Sequence, residues 1–204
     1  MAGETNLVCI SRAAGSGGEE IGWAVAQQLG LPYVDEQIID LAAERAGVDP
    51  DVVAEAEAQK SLVTRVVEAM DSLGALAMHP SRLARPSRRS LRALIRDTLG
   101  QVAERGPAVI VAHAASVALG SRPDILRVLV TGSPKARADR LHALGISSKD
   151  AMATIEESDR SRQQYLRSFY GVSEEGPMHY DLVINTDRLG VEGGVATILA
   201  ALGR

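Results

Sequence analysis

Gly15-Ser16-Gly17-Gly18 is the stretch of this chain whose residue types and spacing point most directly to chemistry. It sits between an apolar run and an amphipathic segment in LVCISRAAGSGGEEIGWAVAQQL, residues 7–29. Strand, glycine turn and helix in that order set free backbone N–H groups at the positive end of a helix, which is a place to hold phosphate. The P-loop pattern GxxxxGK followed by Ser or Thr is incomplete, because Gly18 and Glu19 stand where its lysine and hydroxyl residue belong.

A dinucleotide-binding turn is the alternative, since Asp35 ends the next extended segment twenty residues after Gly15, as a ribose-binding acid would. Two details count against it. Ser11-Arg12-Ala13-Ala14 separates the strand from the glycines, and Glu20 occupies the third glycine's place. A giant loop of the P-loop kind fits the spacing better.

The elements that must position this loop follow from periodicity. Leu7–Ile10 reads as a buried strand, and Ile21, Ala24, Val25 and Leu29 keep to one helical face. Gly30 is a natural residue to close that helix, and Leu31-Pro32-Tyr33-Val34 restarts an extended segment ending at Asp35. A second helix runs from Glu36 to about Ala46. Residues 49–105 hold no convincing strand and read as a helical insertion, within which Arg82, Arg85, Arg88, Arg89, Arg92 and Arg96 occur with no acidic residue over 81–96. Arg88, Arg92 and Arg96 run along the edge of an apolar stripe, where arginines either snorkel to water or face a cleft.

Apolar runs at 107–112 and 125–130 have the composition of parallel strands covered on both faces. Ser133-Pro134 caps and opens a helix through Leu144, carrying Arg137 and Arg140. Ser147 with Asp150 opens a long helix through EESDRSR to about Tyr170. Residues 181–186 form a fifth strand, and Val191 to Leu202 closes the chain as a helix. Alternating strands and helices predict a three-layer α/β/α sandwich with a five-stranded parallel sheet, whose ligands bind beyond the carboxyl ends of the strands. The glycine loop, Asp35, His113 and Thr131 all fall at such ends.

The whole chain of 204 residues reads as a single domain with that insertion, and it is long enough to bury ~70% of its unfolded surface. Aromatic residues make up 3%, so the core is aliphatic. A net charge of −4 argues against general nucleic-acid binding. Cys9 lies inside the first strand and reads as a small core residue. MAGETN lacks the features of a signal peptide, and no run approaches the ~18 apolar residues of a membrane span, so a cytoplasmic location is expected, with no membrane partner.

The sequence resembles the cytidylate kinase-like family of P-loop nucleoside-monophosphate kinase relatives. The resemblance rests on ISRAAGSGGEEIG at 10–22, LPYVDEQII at 31–39, GPAVIVAHAASVAL at 106–119, VLVTGSPKARADR at 128–140, ESDRSRQQYLRSFYG at 157–171 and YDLVINTDRLG at 180–190. The family's loop reads SRxxGSGG and itself lacks the P-loop lysine. The resemblance implies a nucleotide-kinase fold and transfer of the ATP γ-phosphoryl group, with Mg²⁺, to a nucleoside monophosphate such as CMP or dCMP. That chemistry needs chiefly positioning and positive charge around the transferring group.

The resemblance also implies roles. Gly15, Ser16, Gly17 and Gly18 cradle the β- and γ-phosphates, with Glu19 adjoining them. Arg12 either replaces the lysine's charge or faces solvent. Asp159, Arg160 and Arg162 lie in a lid-like segment at about 147–171, where the alternative is a solvated helix face; Arg160 is the strongest lid candidate, and Arg137 is a candidate for the ATP side. Asp35 orients the acceptor or a Mg²⁺-bound water, or simply caps a helix. Arg88 and Arg92 are an acceptor-phosphate clamp, or else surface charge or a homodimer contact. After the third strand the family pattern usually has Gly-Arg-Gly, whereas this chain has Ala112-His113-Ala114, putting a group that titrates near ~6.5 where an arginine is expected. The other histidines have no metal-site spacing, so no structural metal is expected.

Overall fold

The computed structural model describes residues 7–35, 99–112, 115–120, 122–173 and 175–204. Its strands are β1 (Leu7–Arg12), β2 (Tyr33–Val34), β3 (Ala108–Val111), β4 (Ile125–Thr131) and β5 (Leu182–Asn185). They form one parallel sheet in the order β2-β3-β1-β4-β5. The helices are α1 (Gly18–Leu29), the short α2 (Ala115–Ala118), α3 (Pro134–Ala143), α4 (Ser148–Tyr165) and α5 (Thr186–Ala201). This is the five-stranded parallel α/β architecture expected from the sequence. Of the expected helical insertion, residues 49–98 lie outside the described residues, and 99–104 are helical.

Strand alternation builds the layers. Val8 and Ile10 of β1 point to the face that also holds Val109, Val111, Val128 and Val130, where Ile21 and Val25 of α1 and Val195 and Ile198 of α5 cover them. Leu7 and Cys9 point the other way, with Ala108, Ile110 and Ile125, and are covered by Leu99, Val102 and Ala118. Leu7 to Ile10 and all of β3 are therefore buried on both faces, as their unbroken apolar runs require. Cys9 is a core residue, and burial pushes its thiol up to about 12, so it carries no thiolate chemistry.

Helix α1 lies unusually close to the sheet at Gly22. A Cβ there would come within 2.3 Å of Val111 Cγ2, so the glycine sets the depth at which α1 seats on the sheet. The capping expectations hold locally. Gly30 is left-handed (φ 65°) and its N–H bonds back into the last turn of α1. Ser133 accepts from the Ala136 N–H ahead of Pro134, and Ser147 accepts from the Asp150 N–H.

Two boundaries differ from expectation. The helix opened by Ser147 ends as a regular helix at Tyr165, after which Leu166–Tyr170 forms a wider turn closed by left-handed Gly171. The last strand stops at Asn185, whose side chain accepts from the Asp187 N–H and starts α5 at Thr186, five residues before the expected Val191. Gly190, at φ 62°, kinks this helix, which is why the periodicity is clear only from Val191 onward.

Candidate active site

β1 is where the strand order reverses: the chain runs out to β2, returns to β3, then crosses to β4 and β5 on the other side. The crevice beyond the carboxyl end of such a strand is where open α/β sheets bind ligands. The loop 13–17 fills that position.

Every carbonyl from Arg12 to Gly17 is held by a donor. Arg162 Nη1 donates to the Arg12 oxygen at 3.1 Å, and the Ser16 N–H to the Ala13 oxygen at 3.0 Å. Arg137 Nε donates to the Ala14 oxygen at 2.7 Å, Arg140 Nη1 to the Gly15 oxygen at 3.4 Å, and the Thr186 hydroxyl to the Ser16 oxygen at 2.8 Å. The Ile21 N–H takes the Gly17 oxygen at 3.0 Å. Gly15 and Gly17 are left-handed, at φ 72° and 81°. The first N–H groups of α1 have no acceptor within the helix. With the carbonyls pinned by arginines and a threonine, the loop's remaining polarity is that of its N–H groups, the polarity an anion needs.

The sequence places Thr186 at the end of a strand, whereas the structure makes it the first residue of α5 and sets its hydroxyl on the loop. It is 1% exposed, and its oxygen also lies 3.2 Å from the Thr131 carbonyl. The signal was present in Asn185-Thr186-Asp187, three residues suited to a helix start. Asp187 accepts from the Ser133 N–H at 2.8 Å, which holds its carboxyl below the usual range and ties the end of β4 to the start of α5. Thr186→Val keeps shape but leaves the Ser16 oxygen without its donor, so it is expected to cost about 1–3 kcal/mol, read as a lowered urea midpoint at unchanged m-value.

Beside the loop opens a cleft of about 360 Å³, lined by Ala13, Thr131, Arg137, Asp159, Arg162 and Glu175 among others. Arg137, 4% exposed, forks onto Asp159 at 2.9 and 2.7 Å. Arg162, 8% exposed, forks onto Glu175 at 2.7 and 2.5 Å. Tyr180 donates its hydroxyl to the same carboxylate. Burial acts against both charges of the second pair, yet the bidentate contact wins: Glu175 stays below the usual carboxylate range and Arg162 above its ordinary value. Burial and the neighbouring carboxylate push the Tyr180 phenol up to about 12.

The remaining candidates divide by position. Arg12 pairs with Glu19 across the start of α1. Arg160, by contrast, is an exposed residue in an ion pair with Glu157 three positions earlier, at 3.0 Å, and does not line the cleft. Asp35, at the end of β2, accepts the Tyr33 hydroxyl at 3.2 Å, and burial together with that carboxylate raises the Tyr33 phenol above its ordinary value. Arg88, Arg92 and His113 lie outside the described residues. Among the described residues no three His, Cys, Asp or Glu side chains gather as a metal site, and no helix is long and apolar enough to cross a membrane.

Comparison with known proteins agrees with this fold. A solved structure of an uncharacterized protein from Eubacterium ventriosum ATCC 27560 superposes with a TM-score of 0.67 at 16% identity, covering 97% of this chain and 98% of that one. A gluconokinase from Sinorhizobium meliloti 1021 gives 0.55 at 16%, covering 98% and 93%, and a shikimate kinase from Bacteroides thetaiotaomicron gives 0.53 at 18%, covering 97% and 98%. At such identities the likeness is one of fold, and the fold is that of the P-loop kinases. No curated protein matches the sequence significantly. The model of the cytidylate kinase-like family matches residues 7–188, which takes in the loop, the cleft and Thr186, and the chain belongs to that family.

Proposed function

We propose that the protein transfers the γ-phosphoryl group of ATP to a small acceptor, and that the acceptor is a nucleoside monophosphate such as CMP or dCMP. The observation that carries the phosphate-binding part is the pinning of every loop carbonyl from Arg12 to Gly17, which supports an anion cradle built of N–H groups. Family membership supports the nucleotide acceptor.

ATP with Mg²⁺ supplies the phosphoryl group and its electrophilic phosphorus. The chain's own residues position and neutralise, which is most of what phosphoryl transfer asks of a protein. The N–H groups of Gly15, Gly17 and Gly18 hold the phosphates, that of Ser16 being spent on the Ala13 oxygen, and Arg12 adds a cation at the loop. Arg137 and Arg162 line the wall of the cleft, each forked onto a carboxylate, so either gives positive charge to a phosphate by exchanging Asp159 or Glu175 for it. Asp35, fixed by the Tyr33 hydroxyl, receives the acceptor at the β2 side. Arg88, Arg92 and His113 remain the acceptor-phosphate residues, and Arg160 is a lid residue that reaches the phosphates only after α4 moves. Mg²⁺ usually keeps several waters and takes substrate phosphates with one or two carboxylates, so it would enter with the nucleotide and needs no protein cage.

A second reading is binding without transfer. It is favoured by the engagement of both cleft arginines with carboxylates, Arg137 with Asp159 and Arg162 with Glu175. The experiment is ADP formation from Mg-ATP with CMP, dCMP, UMP and AMP, and with gluconate and shikimate as hydroxyl acceptors. Turnover fastest with CMP or dCMP is expected. No turnover with any acceptor, alongside a nucleotide-dependent rise in Tm, would leave the binding reading; no rise in Tm at saturating nucleotide, where a ligand at ~100 times Kd adds about 2.7 kcal/mol, would remove both.

A further inference from the structure

The loop's missing lysine has a steric counterpart. Gly18 occupies the lysine's position, and a Cβ there would lie 2.5 Å from Arg12 Cβ and 3.4 Å from Arg12 Cδ. The Arg12 side chain thus runs over the backbone of residue 18. The obstruction is its Cβ, next to the main chain of β1, so it cannot swing aside. Arg12 Nε is buried and has no hydrogen-bond partner, while an Nη reaches Glu19. A buried guanidinium N–H left unmade is costly, and a phosphate oxygen is a natural acceptor for it. Ser16 Oγ, in the same loop and fully buried, also lacks a partner.

We propose that the cation of this phosphate loop has moved from position 18 to Arg12, that Gly18 is the vacancy which makes room for it, and that Glu19 neutralises the guanidinium until a phosphate displaces the carboxylate. This rests on the phosphate-loop reading of the preceding section. It assigns Arg12 as a phosphate-binding residue, Gly18 as a steric requirement and Glu19 as an internal competitor.

Binding of tripolyphosphate and of ATP, measured by calorimetry and by Tm shift, tests it. Arg12→Ala is expected to weaken both ligands about 10- to 100-fold, the range of a charge-assisted hydrogen bond. Gly18→Ala is expected to lower Tm although it adds one methyl group. Arg12→Ala does not relieve that clash, because alanine keeps the Cβ. Only the exchange Arg12→Gly with Gly18→Lys does, and it is expected to bind tripolyphosphate more tightly than Arg12→Gly alone. Glu19→Gln, on a half-exposed side chain and therefore safe for folding, is expected to bind tripolyphosphate severalfold more tightly than the parent chain. A folded Arg12→Ala protein with unchanged binding would overturn the proposal while leaving the phosphate-loop reading standing. So would a Glu19→Gln protein that binds no more tightly, or a Gly18→Lys protein of undiminished stability that binds more tightly. A parent chain that binds neither ligand would overturn the proposal and that reading together.

Discussion

Glu175→Ala is expected to destabilise the protein by about 3–5 kcal/mol, the cost of leaving one partner of a buried ion pair without the other. For a domain of this length that is a fall in Tm of roughly 6–20 °C. The size follows from the surroundings of Arg162, whose side chain is 7% exposed and cannot regain water without moving α4. The pair itself need not be strongly stabilising, because two charges were desolvated to make it. Arg162→Met with Glu175→Leu should therefore recover most of the loss. It should not recover nucleotide binding, because the Arg162 Nη1 contact to the Arg12 carbonyl goes with the guanidinium. A Glu175→Ala loss below ~1 kcal/mol in urea melts would mean that Arg162 finds water or another acceptor unaided.

The same pair sets a pH signature with a definite sign. The folded carboxyl of Glu175 lies below its ordinary value of 4.5, and Arg162 is charged throughout. The pair's contribution is present above about pH 4.5 and is lost as pH falls through the lowered folded value. The stability of the parent chain should drop more steeply in that window than that of the double variant. Equal slopes would place the acid-labile groups elsewhere.

What was legible in the sequence was what local chemistry dictates. β1 and β3 had to read as apolar runs because both faces are covered, whereas β4, read the same way, is half-buried at Leu126, Arg127, Leu129 and Thr131. The loop 13–17 had to read as glycines because its backbone turns left-handed at two positions. The cleft was legible by residue type and not by partner. The residue types mark Arg137 and Arg162 as candidates, but no local pattern names Asp159 and Glu175 as their partners, since the pairing is decided by how α3, α4 and the segment before β5 pack together. The choice between Arg160 and Arg162 is legible in the helical periodicity. Ala151, Ile155 and Leu166 are buried on α4 and its extension, and Arg162 falls on their stripe at spacings of seven and four, whereas Arg160 does not. The run of charges hid a periodicity that its apolar neighbours carry. Thr186 was harder, because a β-branched residue after Leu-Val-Ile-Asn looks like one more strand position until the capping role of Asn185 is recognised.

Gly15→Ala is expected to abolish nucleotide-dependent stabilisation and to lower the stability of the free protein by about 2–5 kcal/mol, summing left-handed backbone strain and an overpacking cost. Residue 15 stands at φ 72°, and a Cβ would meet the Arg137 carbonyl oxygen at 2.6 Å, its carbonyl carbon at 3.1 Å and Leu141 Cγ at 3.2 Å. Two of these atoms are backbone of α3, so relief requires the loop and the helix to separate. Separation pulls the Ala14 oxygen from Arg137 Nε and the Gly15 oxygen from Arg140, the two donors that α3 gives the loop. Carbonyls released there turn toward the ligand, and a cradle of N–H groups acquires oxygens that repel phosphate. Binding should therefore fall further than stability does. The discriminating measurement is tripolyphosphate calorimetry below the variant's own Tm. A variant that is less stable yet binds with the parent's affinity would show that α3 braces the fold and has no part in aiming the loop.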